Sequence, residues 1–153
     1  MRPSWDEIFL GQAALIAKRS TCPRLHVGCV LVRDNRPISM GYNGSVSGTA
    51  HCTDFLDGCH MRDGRCQTAI HGEANCILNA ALNGVSCASS TAYITHSPCW
   101  DCLKLLAQAG IKEIVFSDKY HRFDEVMAIA AKHGIVMPFR HIEATNGDGA
   151  ESL

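Results

Sequence analysis

Two cysteines three residues apart, Cys99 and Cys102 in HSPCWDCLKLL, follow a proline and a short apolar run, TAYIT. The run reads as a buried strand and CWDCLKLLAQAG as a helix ending at Gly110, so Pro98 marks the junction between them. Such a junction aims both sulfurs at one spot near a helix N-terminus. There the aligned backbone dipoles favour thiolate, the form a metal needs. A fold that uses the pair this way must carry at least one more ligand to the same spot. That requirement narrows the choice of architecture more than any other stretch of the chain.

A third ligand is on offer in TAIHGEANCILNAA, residues 68–81, where His71 opens a second helix running to about Leu82 and closed by Asn83-Gly84. Ile70, Ala74, Ile77 and Leu78 give this segment an apolar context. Alone, His71 reads equally well as a hydrogen-bonded core histidine, and a lone Cys-x-x-Cys as a redox pair. Together they supply one nitrogen and two sulfurs. Three protein ligands are the pattern of a catalytic zinc, whose fourth position stays open, whereas structural sites close with four. Glu73 then gains a task, because a carboxylate near the metal but not bound to it can move protons. The sequence therefore predicts Zn2+ on His71, Cys99 and Cys102, with Glu73 as the catalytic proton shuttle.

At 153 residues the chain suits one compact domain. Its formal net charge of -1, from 14 basic and 15 acidic residues, argues against a large footprint for nucleic acid or anionic membrane. No apolar run approaches the roughly 20 residues that span a bilayer, and the N-terminus lacks a signal peptide's cleavage pattern. A cytoplasmic protein with neither nucleic-acid nor membrane partners is expected. In reducing surroundings nine cysteines point to metal or catalysis rather than disulfides. Cys29 in VGCVLV and Cys76 read as plain core residues.

Elsewhere, Trp5 to about Ser20 has a helical apolar face, and HVGCVLVRDNRPISMGYN reads as two strands joined by a turn at Asp34-Asn35. Residues 44–67 are irregular and cysteine-rich. KEIVFS is a strand, 123–133 a helix ending at Gly134, and IVMPF a last strand. Strands alternating with helices imply an α/β fold: a single mixed β-sheet of about five strands flanked by helices, over residues 1–142. The polar segment from 143 to 153 reads as a flexible tail.

The H-x-E…P-C-x-x-C arrangement is the signature of the zinc nucleobase deaminases. GYNGS at 41–45, the cysteine-rich stretch before His71, YITHSPCWDC and KYHR narrow the resemblance to the deoxycytidylate (dCMP) deaminases, from Trp5 to about Phe139. The resemblance implies a cytidine deaminase-like fold and hydrolysis of dCMP to dUMP and ammonia, supplying thymidylate synthesis. It also implies a homohexamer, with dCTP (bound with Mg2+) as activator and dTTP as inhibitor. It places Asn43 against the nucleotide, and Tyr120, with His121 and Arg122 beside it, near sugar and phosphate. His26 matches a position where relatives often carry Arg or Lys near the phosphate. A second, structural Zn2+ is implied from the loop region. Cys22 and Cys52 match that pattern, Cys59 and Cys66 would complete it, and His51 and His60 compete as ligands.

Two positions depart from the family. Gly72 replaces an alanine between His71 and Glu73, leaving room that a 5-modified cytosine could use. Leu82 stands where dCTP-regulated relatives often carry a basic residue. Other cytosine nucleotides or cytidine remain alternative substrates. A tRNA adenosine deaminase should display a basic surface, which the charge balance denies. A catalytically inactive zinc-stabilised interaction module is the rival outside enzymes, though such a module has no need of Glu73.

Overall fold

The computed structural model describes residues 1–143. Helix α1 (Trp5–Ala17) precedes the strands β1 (Gly28–Arg33) and β2 (Arg36–Tyr42), and a single 3-10 turn spans Cys52–Asp54. A small hairpin follows, β3 (Met61–Arg62) and β4 (Arg65–Cys66), and then α2 (Gly72–Leu82) and β5 (Thr91–His96). The chain continues through α3 (Trp100–Gln108), β6 (Glu113–Asp118), α4 (Phe123–Lys132) and β7 (Phe139–His141).

The main sheet has five strands in the order β2-β1-β5-β6-β7. β1 is antiparallel to β2 and to β5, while β5, β6 and β7 run parallel. This is the mixed five-stranded sheet expected from the strand–helix alternation. Strand side chains alternate between its faces. Val30, Val32, Tyr93 and Val115 pack under α1 with Phe9, Leu10 and Ala13. Cys29, Leu31, Ala92, Ile94, Ile114 and Phe116 face the other way, against Cys76, Leu103, Leu106 and Val126 of α2, α3 and α4. Each such large side chain removed from water contributes roughly 1.5–3 kcal/mol. Cys29 and Cys76 are core residues, as their apolar settings predict.

Local chemistry fixes the connections. Asp34 and Asn35 both take positive φ, 53° and 56°, the geometry that lets a two-residue turn follow the twist of β1 and β2. Gly41 lets α2 sit directly on β2, since a Cβ there would lie 2.4 Å from the Cys76 nitrogen. Asn75 and Asn79, one turn apart on α2, donate to the Tyr42 and Met40 carbonyls at 2.8 Å each. The helix thereby satisfies acceptors along the outer strand of the sheet.

The structure departs from the sequence reading in three places. The last strand is Phe139–His141, not residues 135–139. Pro138 has no N–H to donate, so pairing starts beyond it, while its carbonyl accepts from the Ile114 N–H at 3.0 Å. α1 ends at Ala17 rather than near Ser20. The irregular stretch contains the β3–β4 hairpin, turned at Asp63-Gly64 with φ of 51° and 74°. Of the tail expected over 143–153, residues 144–153 lie outside the described residues. Among the described residues, no helix is long and apolar enough to cross a membrane.

Candidate active site

His71 is the N-cap of α2 and Cys99 the N-cap of α3, so both ligand-bearing residues sit where four backbone N–H groups begin a helix. Core packing holds the two helix starts side by side. His71 Nδ1 lies 3.5 Å from Cys99 Sγ and 3.3 Å from Cys102 Sγ. A tetrahedral zinc with Zn–S near 2.3 Å and Zn–N near 2.0–2.1 Å requires an N···S separation of about 3.5 Å. The donors fit the ion in type, number and spacing.

The electrostatics suit a thiolate site. The Cys99 thiol is pushed down to about 4, first by its hydrogen bond with Cys102 and, against burial, also by His71. The hydrogen bond with Cys99 raises the His71 pKa, with burial opposing it. Glu73, one residue into α2, is 5% exposed. Burial raises its pKa above the ordinary carboxylate range, so it exchanges a proton closer to neutrality. Its environment is that of an acid–base group.

These residues line a cavity of about 820 Å3. Asn43, Tyr120, His121 and Arg122 line it as well. Asn43 also holds the chain locally, with its Nδ2 donating to Leu25 O at 2.6 Å and its Oδ1 accepting from the Val27 N–H at 2.8 Å. The Tyr120 N–H donates to Ser97 Oγ at 2.7 Å, which fixes the loop after β6 against the end of β5. Arg122 is engaged twice by Glu125, at 2.8 and 3.1 Å. His26 is exposed, and the cavity wall is made by its neighbours Arg24, Leu25 and Val27 rather than by His26 itself.

Gly72 opens no space for a modified base. A Cβ there would lie 3.0 Å from Val27 O, 3.3 Å from Val27 Cγ1 and 3.4 Å from Asn43 N, so Val27 already fills that volume. Sequence reasoning passed over Arg24, Arg65, His96 and Lys119, all of which line the cavity. His96 precedes the Ser97-Pro98-Cys99 corner, and burial lowers its pKa. Closeness to the motif cysteines was the one signal available for Arg24, Arg65 and His96.

A second thiol cluster borders the same cavity, which Cys66 and Cys22 also line. Donor atoms of Cys52, Cys59 and Cys66 lie within 4.8 Å of one another, with Cys52 Sγ and Cys66 Sγ 3.7 Å apart. Two sulfurs on one tetrahedral zinc stand about 3.8 Å apart. Burial chiefly raises the Cys52 pKa, with smaller contributions from the charges of Cys66 and Cys22; Cys22 is itself buried but lies outside the set of three. The Nδ1 of His51 is buried and has no hydrogen-bond partner among the described residues.

A family model for the cytidine and deoxycytidylate deaminase zinc-binding region matches residues 3–118. ComE operon protein 2 of Bacillus subtilis (strain 168) is 42% identical over 136 residues, 89% of this chain and 71% of that protein. Human deoxycytidylate deaminase is 37% identical over 130 residues, 81% of this chain and 71% of that one. The Saccharomyces cerevisiae deoxycytidylate deaminase is 36% identical over 90% of this chain, which spans 45% of that longer protein. Among solved structures, the dCMP deaminase of cyanophage S-TIM5 in complex with dCMP and dUMP superposes with a TM-score of 0.77 at 28% identity. That match covers 93% of this chain and 99% of the phage chain. With a zinc-type donor triad, a buried carboxylate beside it and these relatives, the chain belongs to the cytidine and deoxycytidylate deaminase family.

Proposed function

We propose that the protein is a zinc-dependent hydrolase that deaminates dCMP to dUMP and ammonia, supplying dUMP for thymidylate synthesis. The observation that carries this reading is the placement of buried Glu73 beside the His71, Cys99 and Cys102 donors in the lining of the cavity. Bound to those three residues, zinc supplies a Lewis acid that makes water nucleophilic near neutral pH. Glu73 takes one proton from the attacking water and delivers it to the ring nitrogen next to the amine-bearing carbon, then takes the proton of the newly added hydroxyl and passes it to the amine, which leaves as ammonia as the carbonyl forms. Its raised pKa suits both halves of that transfer. Asn43 and Tyr120 line the cavity where the sugar and phosphate would lie, and α2 and α3 shield the chemistry from one side.

The second cluster supports a structural Zn2+ on Cys52, Cys59 and Cys66. Cys22 and His51 compete for the fourth place, Cys22 by its proximity to Cys52 and His51 by its unpartnered nitrogen. We also propose a homohexamer regulated by dCTP, with Mg2+, and by dTTP. Exposed Met40, Leu78 and Leu82 on β2 and α2 are the surface that supports association. A cytoplasmic location agrees with nine free thiols.

Ammonia release measured across cytidine, dCMP, dCTP and 5-methyl-dCMP, with and without added dCTP, tests the substrate. dCMP is expected to be fastest. Fastest release from cytidine would assign a nucleoside deaminase instead, and release from none would favour the inactive module.

A further inference from the structure

Cys66 belongs to two places at once. Its sulfur is one of the three in the second thiol cluster, and the residue lines the cavity that also holds Glu73 and the zinc donors. Gly64, Arg65 and Gln67, its neighbours in and after the β3–β4 hairpin, line that cavity too. Whatever moves Cys66 therefore moves a wall of the active cavity.

A bonding partner is within reach. Cys52 Sγ and Cys66 Sγ stand 3.7 Å apart, in contact but unbonded. A disulfide requires about 2.0 Å, so the two sulfurs must close by roughly 1.7 Å. The two ends differ in how firmly they are held. Cys52 is 3% exposed, and the His51 N–H donates to Asp54 Oδ2 at 2.7 Å across its turn. Cys66 is half-buried in a strand of two residues, paired with a strand that is exposed throughout. The hairpin leans on α3 through Arg65 and Asp101, 2.9 Å apart, an exposed pair that solvent screens. Arg24 adds only long contacts, 3.5 Å to the Gly64 carbonyl and 3.6 Å to Met61 Sδ. The hairpin is therefore the side that yields when the sulfurs close.

We infer that Cys66 and Cys52 are an oxidation-sensitive pair, which hydroperoxides convert to a reversible disulfide that resets the hairpin wall of the active cavity. The Cys66 sulfur, on the cavity side, attacks the peroxide O–O bond, giving a sulfenic acid and one water. The buried Cys52 sulfur then attacks the sulfenic sulfur, forming the S–S bond and expelling a second water. Two thiols lose two electrons, and one peroxide gains them. Inside a reducing cell such a bond is transient and senses oxidant rather than holding the fold. It also withdraws two thiolates from the cluster, so zinc held there leaves as the bond forms. The zinc release rests on the second-site reading above, whereas the bond itself does not.

The test treats the zinc-loaded protein with hydrogen peroxide and then with dithiothreitol. Differential alkylation with peptide mapping locates the bond, metal analysis counts zinc, and kinetics on the nucleotide turned over fastest give KM and kcat. A Cys52–Cys66 disulfide should dominate, and zinc should fall by one per chain. KM should rise about 3- to 10-fold while kcat changes by less than about twofold, since His71, Glu73, Cys99 and Cys102 sit on core-packed helices. Dithiothreitol with added zinc should restore KM, and the same oxidation of Cys52→Ser should leave that variant's own KM where it was. A disulfide made chiefly through Cys59, a Cys52–Cys66 bond without a change in KM, or equal loss of activity in Cys52→Ser and wild type overturns the inference. Peptide mapping of wild type decides the bond even if Cys52→Ser fails to fold. One zinc per chain before treatment, with the bond still forming and KM still rising, sinks the second-zinc reading and leaves this inference standing.

Discussion

The two cysteine clusters share donor spacing and differ in what holds them. His71 and Cys99 cap α2 and α3, helices packed on the same face of the sheet, with Leu103 and Leu106 of α3 fully buried beneath them. Core packing places those ligands whether or not an ion is bound. Cys52 lies in a 3-10 turn, Cys66 in a two-residue strand, and Cys59 in the loop between them, where Phe55 and Leu56 point into solvent. Cys52 is buried, but neither hydrophobic cluster of the described residues includes a residue of that segment, so an ion there would supply much of its ordering energy. A catalytic site needs the first kind of support, because geometry must survive every turnover. A structural site needs only the second.

The largest effect that distinguishes the clusters follows from Cys99→Ala. It should remove the catalytic zinc and drop turnover to background, while thermal unfolding shifts little because the core is untouched. Metal analysis and melting curves together check this. A large fall in Tm would mean that the first cluster, too, depends on its ion. Cys66→Ser should do the reverse. Zinc should fall from two per chain to one and protease sensitivity in residues 44–67 should rise, with turnover retained to within about tenfold. One zinc per chain in wild type would contradict the second site.

A smaller effect is expected where neither cluster is involved. Arg140 ties β7 to α1 and β6 through Asp6 and Glu113, and Tyr93 also donates to Asp6 at 2.7 Å. Arg140→Ala should destabilise by about 1 kcal/mol, since solvent screens a pair this exposed. Its hydrogen bond holds the Asp6 carboxyl below the usual 3.8. The stabilisation is present above that value and is lost as pH falls through the lower folded-state one, so variant and wild type should converge in strong acid. Denaturant titrations at neutral and low pH measure the difference.

Gly72→Ala is the mildest change. The gain in helix propensity, near 1 kcal/mol, opposes a contact of 3.0 Å with Val27 O, so net stability should move by roughly 0.5 kcal/mol or less. A loss of several kcal/mol would show that Val27 cannot give way.

Where structure repeats with a period, the sequence was readable. VGCVLV and TAYIT alternate faces or run apolar because both sides of the sheet are covered, and Asp34-Asn35 supplies the positive φ a tight turn demands. The centre of the site was equally legible, because His71, Glu73, Cys99 and Cys102 sit at helix starts, where spacing along the chain translates into position in space. The β3–β4 hairpin was not, since strands of two residues carry no periodicity. β7 was misplaced because Ile135 and Met137 pack against the core from a loop, and apolar packing imitates a strand pattern. The cavity rim was the least legible part. Arg24, Lys119 and Arg122 are alike in sequence, and only folding shows that Glu125 holds Arg122.

Catalysis depends most on Glu73 acting beside an ion it does not bind, which makes Glu73→Gln the most direct measurement: zinc content and ammonia release from dCMP, determined on the same sample. The variant should keep its zinc while kcat falls by about 10²- to 10⁴-fold. Turnover at the wild-type rate, or zinc lost together with activity, would contradict it.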